Sequence, residues 1–201
     1  MIFWDIDTQV DFMEPEGKLY VPGAETIIPN LQVLSASAAE HGILVIADVC
    51  AHHPDDEEFQ TYPAHCLVGT RGQQKISETV LSRQYIVPNR KVQLPGDLLS
   101  YQQIVIEKQT TDVFSNPNIE ALLEMLGTKK EIILYGVVTE ICVDLAARGL
   151  LQRGYRVQVV QDAVRHWDKL KSRDTLLYVE QHGGSLVTTA DVVARFRSAQ
   201  Q

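Results

Sequence analysis

The sequence predicts an α/β fold in which helices cover both faces of a parallel sheet. Short continuous apolar runs alternate with segments of helical spacing, which is typical of buried parallel strands joined by helices. The length of 201 residues suits one domain, since domains average roughly 150 residues. Hydrophobic residues make up 45% and charged residues 22% of the chain, which excludes a disordered or fibrous protein.

Six apolar runs are predicted to be strands, and helices separate them. The predicted strands cover residues 2–7, 42–47, 104–106, 131–135, 155–160 and 185–187. The predicted helices cover residues 24–40, 116–126, 140–153 and 169–181, and a last helix opens at Thr189 or Asp191. Pro29 lies inside the first helical segment, so we expect the helix to begin later or to bend there.

Residues 49–96 show no regular pattern and contain four prolines. A stretch of that length inside a compact domain is usually functional. We therefore expect a single domain over residues 1–201 with a long loop insertion over about residues 49–100.

The charge balance and the cysteines limit the classes of function. Eighteen Lys and Arg against 26 Asp and Glu give a net charge of −8, which argues against nucleic-acid and anionic-membrane partners. No apolar run approaches the roughly 18 residues of a membrane span, and the first residues lack the basic region of a signal peptide. Three cysteines cannot all pair with one another, so we expect free thiols and a cytoplasmic protein.

The residues that end the predicted strands indicate a reactive site, because ligands bind beyond the carboxyl ends of parallel strands. These residues are Asp7, Asp48, Lys108 and Cys142. Cys142 falls in the first turn of a predicted helix, where backbone N–H groups and the helix dipole lower a thiol pKa below about 8.5. Lys108 would favour the thiolate, and Asp7 could take the thiol proton. The alternative is that Cys142 is a small buried hydrophobic residue.

Four segments resemble, in order, the motifs of the isochorismatase-like cysteine hydrolases. They are DTQVDF at residues 7–12, EK at 107–108, GVVTEICV at 136–143 and LVTTAD at 186–191. The family patterns for the first and third are D-x-Q-x-D-F and G-[VI]-x-T-x-x-C-V. The resemblance covers nearly the whole chain and implies a Rossmann-like three-layer sandwich with a six-stranded parallel sheet.

The same resemblance implies site residues. Asp7, Lys108 and Cys142 match the catalytic triad, and the N–H groups of Val138 and Cys142 match the oxyanion hole, after a non-proline cis peptide between Val137 and Val138. Asp11, the second acid of the opening motif, is expected to be a structural partner. Homo-oligomers are common in the family, and we expect one here.

The segment YPAHCLVGT at residues 62–70 resembles the W-P-x-H-C-V-x-G-T signature of nicotinamidases within this family. These amidases convert nicotinamide to nicotinic acid and ammonia, which implies a small amide as substrate and a cysteine thioester intermediate. Phe12 and Tyr62 match aromatic walls of the pocket, although Tyr62 replaces the usual Trp. Two alternatives stay open: a metal-independent relative acting on an N-carbamoyl compound or a vinyl ether, and a non-catalytic or thiol-redox protein.

Nicotinamidases bind a divalent metal through an Asp-x-His and through the His of that signature. Asp48 and His65 match two of these ligands, but Cys50 stands where the His of Asp-x-His is expected. The third ligand must then come from the loop. We expect His52, one turn after Asp48, rather than His53, which Pro54 restricts to extended geometry.

The remaining candidate ligands are Cys50 and Glu58, and the donor types suit Zn²⁺ or Mn²⁺. The alternative is a solvated polar loop that binds no metal.

Two further positions are left open by the sequence. Asp5 stands where relatives carry an apolar residue, and it is expected either to raise the pKa of its neighbour Asp7 or to occupy a hydrogen-bonded niche. His166 and Trp167 follow the fifth strand and are expected either to rim the pocket or to pack on the surface.

Overall fold

Seven strands form one fully parallel sheet in the computed structural model, which describes residues 1–198. The strands are β1 (Ile2–Ile6), β2 (Val45–Cys50), β3 (Gln84–Val87), β4 (Gln103–Lys108), β5 (Glu131–Val137), β6 (Arg156–Arg165) and β7 (Ser185–Val187). Their order across the sheet is β3-β4-β2-β1-β5-β6-β7, which places β1 at the centre. Each neighbouring pair is parallel.

Helices cover both faces of this sheet, as the sequence predicts. They are α1 (Val10–Met13), α2 (Ile28–Glu40), α3 (Ile119–Leu126), α4 (Asp144–Gln152), α5 (Lys169–Gln181) and α6 (Thr189–Ser198). Alternate residues of β1 face opposite layers. Trp4 and Ile6 pack with residues of α3, α4 and α5, whereas Phe3 packs with residues of α2 and α6. The result is a three-layer sandwich with a core on each side.

The predicted elements are found, together with one strand and the four-residue helix α1 that were not predicted. The additional strand β3 has four residues, lies at the edge of the sheet and is largely half-buried or exposed. Its apolar run is short and lies within a segment predicted to be irregular, so hydrophobic periodicity could not identify it.

Pro29 falls in the first turn of α2, which begins at Ile28 after a 3₁₀ turn at Ala24–Ile27. The later start of that helix is therefore confirmed.

The long loop after β2 is fixed to the carboxyl end of the sheet by hydrogen bonds that are buried or partly buried. Gln9 Nε2 donates to the carbonyl oxygens of Cys50 and Gln73, at 2.8 and 2.6 Å. The Asp11 carboxylate accepts from the N–H of Cys66 at 2.7 Å and from the N–H of Lys18 at 3.0 Å. Asp11 is thus a structural partner, and the loop holds the segment around Cys66 in place.

Asp5 lies in a hydrogen-bonded niche, the second of its two predicted surroundings. Its Oδ2 accepts from Lys75 Nζ at 2.6 Å and from Thr8 Oγ1 at 3.1 Å. Burial raises the pKa of Asp5, while Lys75 opposes that shift. Lys75 comes from the loop after β2, so this buried ion pair also ties the loop to β1.

Candidate active site

Three strand ends bring Asp7, Lys108 and Cys142 together. Asp7 follows β1 with a φ of 48°, and its N–H donates to Asp48 O at 3.0 Å. Lys108 is the last residue of β4, next to β2 in the sheet. Cys142 lies in a π-helical turn, Thr139–Val143, between β5 and α4. All three side chains are buried.

Lys108 is the centre of this cluster. Its Nζ donates to both Asp7 carboxylate oxygens, at 2.9 and 2.7 Å, and lies 3.9 Å from Cys142 Sγ. The same Nζ lies 3.3 Å from Cys50 Sγ and 3.8 Å from Asp48 Oδ1. Burial works against the charge on Lys108, but Asp7 and the other acidic groups outweigh it and raise the pKa of the ammonium. Lys108 therefore stays charged and compensates the buried acids.

The Cys142 thiol does not have the lowered pKa that its place near a helix start predicts. Burial raises its pKa, Asp7 adds to the shift, and Lys108 opposes it. The desolvation of a thiolate at this depth outweighs the attraction of the Lys108 ammonium. Cys142 consequently rests as a thiol, and a base must remove its proton before it can attack.

The backbone before Cys142 has the conformation that the family resemblance implies. The peptide between Val137 and Val138 is cis. The Val138 carbonyl accepts from the N–H groups of Ile141 and Val143, each at 3.1 Å. Val138 and Cys142 both line a small cavity. Their backbone N–H groups are the candidates for the oxyanion hole.

A second cluster next to the triad has the chemistry of a metal site. The ligand atoms of Cys50, His52 and His65 all lie within 4.8 Å of one another, and all three residues are buried. Each imidazole uses Nδ1 in a hydrogen bond: His52 with Asp56 at 2.9 Å and His65 with Pro63 O at 2.8 Å. The Nε2 atoms of both are buried without a hydrogen-bond partner.

These observations fit a divalent cation. Burial lowers the pKa of both His52 and His65, so both are neutral and able to bind a metal. Nδ1 bonds of this kind orient metal-binding imidazoles. Glu58 Oε1 lies 3.7 Å from both Nε2 atoms and could complete the donor set. His53 is exposed.

The predicted metal ligand Asp48 does not lie in this cluster, which corrects the sequence prediction. Its carboxylate accepts from Trp4 Nε1 at 2.9 Å and faces Lys108. Cys50 lies in the cluster instead, because β2 continues to Cys50 rather than ending near residue 47. The motif is therefore shifted by two residues: Cys50 and His52 have the spacing of Asp-x-His, with Cys in place of Asp.

A small cavity lies between Cys142 and the second cluster, of which Cys50 and His65 line it. Phe12 and Tyr62, the predicted pocket walls, both line it, together with Cys50, Glu58, His65 and Cys142. Leu19, Thr111 and Ile141 line it as well, although the sequence analysis did not identify them, and so does Trp167. Trp167 had the open alternative of rimming the pocket, and that alternative is the correct one.

The sequence profile of the isochorismatase domain matches residues 5–191. The chain therefore belongs to the isochorismatase family of hydrolases. A nicotinamidase of Saccharomyces cerevisiae is 26% identical over 188 residues, covering 80% of this chain and 85% of that protein.

Two solved structures share the fold. The zinc complex of the Pyrococcus horikoshii pyrazinamidase has a TM-score of 0.75 and 25% identity, covering 93% of this chain and 98% of that one. The N-carbamoylsarcosine amidase of Thermoplasma acidophilum has a TM-score of 0.74 and 23% identity, covering 94% of this chain and 95% of that one.

No helix within residues 1–198 is long and apolar enough to span a membrane.

Proposed function

We propose that this hydrolase is a cysteine amidohydrolase that converts nicotinamide, or a close aromatic carboxamide, to the acid and ammonia. The observation that carries the proposal is the placement of Cys142 beside Lys108 and Asp7, with Cys142, Cys50 and His65 lining one small cavity. The likeness to the yeast nicotinamidase and to the zinc-bound pyrazinamidase supports the same substrate class.

In the proposed mechanism Asp7 takes the proton of the Cys142 thiol, and the sulfur attacks the amide carbon. Lys108 compensates the negative charges of Asp7 and of the developing thiolate, which are otherwise costly at this depth. The N–H groups of Val138 and Cys142 hold the oxyanion of the tetrahedral intermediate. Asp7 protonates the departing ammonia, and then takes a proton from the water that hydrolyses the thioester.

Cys50, His52 and His65, with Glu58, are the residues that would hold a divalent cation. When bound, such a cation supplies a coordination position for a ring nitrogen of the substrate. This chain's own part is to orient the two imidazoles through Asp56 and the Pro63 carbonyl, and to keep the donors buried beside the cavity. A soft thiol among the donors favours Zn²⁺ over Mn²⁺.

Ammonia release from nicotinamide, pyrazinamide, N-carbamoylsarcosine and biuret tests the proposal. We expect turnover of the first two and its abolition in Cys142→Ala, because Cys50, the other thiol that lines the cavity, lies on β2 and not in the turn that supplies the proposed oxyanion hole. Cys66→Ala is the matched control, since this thiol contacts Gly72 O at 3.6 Å and does not line the cavity. More than a few per cent of kcat in Cys142→Ala would refute the nucleophile. Turnover of N-carbamoylsarcosine alone, without bound metal, would support the metal-independent alternative.

A further inference from the structure

Trp167 lies in the loop between β6 and α5 and forms part of the cavity wall beside Cys142. Its ring centroid is 6.0 Å from that of Tyr62, with 34° between the ring planes. This separation is within the range of favourable aromatic contacts. The two rings therefore make one aromatic surface at the cavity, although Trp167 belongs to none of the family motifs found in the sequence.

Glu140 holds this loop against the nucleophile turn. Its Oε1 accepts from the N–H of Trp167 at 2.9 Å and from the N–H of Asp168 at 2.6 Å. The neighbouring Thr139 Oγ1 donates to Arg165 O at 2.9 Å. The turn that presents Cys142 thus also fixes the loop that carries Trp167. On its other side, the indole Nε1 donates to Tyr20 O at 3.3 Å, which fixes the ring.

We infer that Trp167 is a specificity-determining residue that selects amides with a flat aromatic ring, and that Glu140 is its positioning residue. This inference rests on the proposed function and identifies the aromatic ring as the part of the substrate that the cavity recognises. Phe12, Tyr62 and Trp167 all line the cavity, so a ring bound beside Cys142 would lie against aromatic side chains. An aromatic surface favours such a ring over an aliphatic amide of similar size, because ring faces and edges attract each other.

The kinetic test compares variants at both residues on nicotinamide. Trp167→Ala should raise KM about 5- to 10-fold, with kcat within about twofold, and Trp167→Phe should recover most of the loss. Glu140→Ala should raise KM in the same way. Glu140→Gln should restore it, because the amide oxygen can still accept both N–H bonds. An unchanged KM in Trp167→Ala would overturn the assignment of Trp167, and equal effects of Glu140→Ala and Glu140→Gln would overturn that of Glu140.

A binding test needs no turnover. The chain has two tryptophans; Trp4 is fully buried and Trp167 is half-buried, so iodide quenches mainly the emission of Trp167. In Cys142→Ala, saturating nicotinamide should reduce that quenching by about half or more, whereas isobutyramide should not. Trp167→Phe is the control and should show little iodide quenching with or without ligand.

The two tests separate failure of the inference from failure of the proposed function. Release of no ammonia from any amide by the wild type would refute the function, and the iodide experiment would still decide whether Trp167 contacts an aromatic amide. Equal iodide quenching with and without nicotinamide would overturn the inference, including in a wild type that does hydrolyse nicotinamide.

Discussion

Cys50 belongs to both clusters of the site. Its Sγ lies 3.3 Å from Lys108 Nζ and 3.6 Å from Asp7 Oδ1, and it groups with the ring nitrogens of His52 and His65. Burial raises the pKa of this thiol, so it is protonated unless a cation binds. A cation bound by Cys50, His52 and His65 would therefore change the charge on Cys50 Sγ, which lies next to the Lys108 ammonium.

Replacing Cys50 by Asp should change which metal the protein prefers. A carboxylate is a harder donor than a thiolate, so the ratio of Zn²⁺ to Mn²⁺ affinity should fall by roughly tenfold or more in Cys50→Asp. Competitive metal titration followed by elemental analysis measures this ratio. Cobalt substitution gives a second readout, since only the wild type should show a sulfur-to-cobalt charge-transfer band. An unchanged affinity ratio, with no such band in the wild type, would exclude Cys50 as a ligand.

The raised pKa of Cys142 has a direct consequence for its alkylation. Because only the thiolate reacts, the rate of modification by iodoacetamide should rise about tenfold per pH unit from pH 7, without a plateau below about pH 8.5. Peptide mapping by mass spectrometry separates Cys142 from Cys50 and Cys66. A rate that levels off below pH 8 would mean that the pKa of Cys142 is lowered instead.

At the scale of the elements, Gly136 controls how closely β1 and β5 approach beside the nucleophile. It has a φ of +117°, and a Cβ there would lie 2.1 Å from the carbonyl oxygen of Ile6, the residue before Asp7. The register of β5 against β6 also shifts between Leu134 and Gly136. A side chain at this position would push apart β1, which precedes Asp7, and β5, which precedes the turn with Cys142.

Gly136→Ala should therefore destabilise the protein by roughly 2–4 kcal/mol, combining backbone strain with overpacking against β1. Gly154→Ala is the matched control: its φ is +80°, but nothing lies within 4 Å of the new Cβ. The control should lose only about 1–2 kcal/mol, the strain alone. Urea unfolding of both variants measures the difference, and equal losses would show that the contact with Ile6 is unimportant.

The sequence predicted the positions of the triad better than those of the metal cluster, for a physical reason. Asp7, Lys108 and Cys142 follow separate strands, and parallel topology alone brings such ends together. Asp48 and Cys50 lie on one strand with a spacing of two, so they share a face and periodicity cannot tell which one meets the loop. Trp167 lies in an irregular loop, where no spacing rule applies and only tertiary contacts place its ring.

At the scale of the whole molecule, the site combines two carboxylates with one lysine between the two cores of the sandwich. Asp7 receives both short contacts from Lys108, while Asp48 lies 3.8 Å away. One ammonium cannot compensate two buried carboxylates equally. The more distant one, Asp48, therefore takes up a proton most readily, and burial raises its pKa to about 7.

The raised pKa makes the stability of the fold depend on pH. The folded chain binds the Asp48 proton more tightly than the unfolded chain, whose aspartate has a pKa of about 3.9. The free energy of unfolding should accordingly fall as pH rises from about 4 to about 7, and the loss should be complete above the folded pKa. Asp48→Asn should remove this loss, which is on the order of 2–4 kcal/mol, while its amide oxygen still accepts from Trp4.

Urea unfolding at pH 5 and pH 8, in the presence of a chelator, checks this prediction. The wild type should be less stable at pH 8 than at pH 5 by more than Asp48→Asn is. Asp174→Asn, at an exposed position, should follow the wild type. If Asp48→Asn keeps the wild-type difference between the two pH values, the proton resides on another group, and Lys108 compensates both carboxylates despite the longer distance to Asp48.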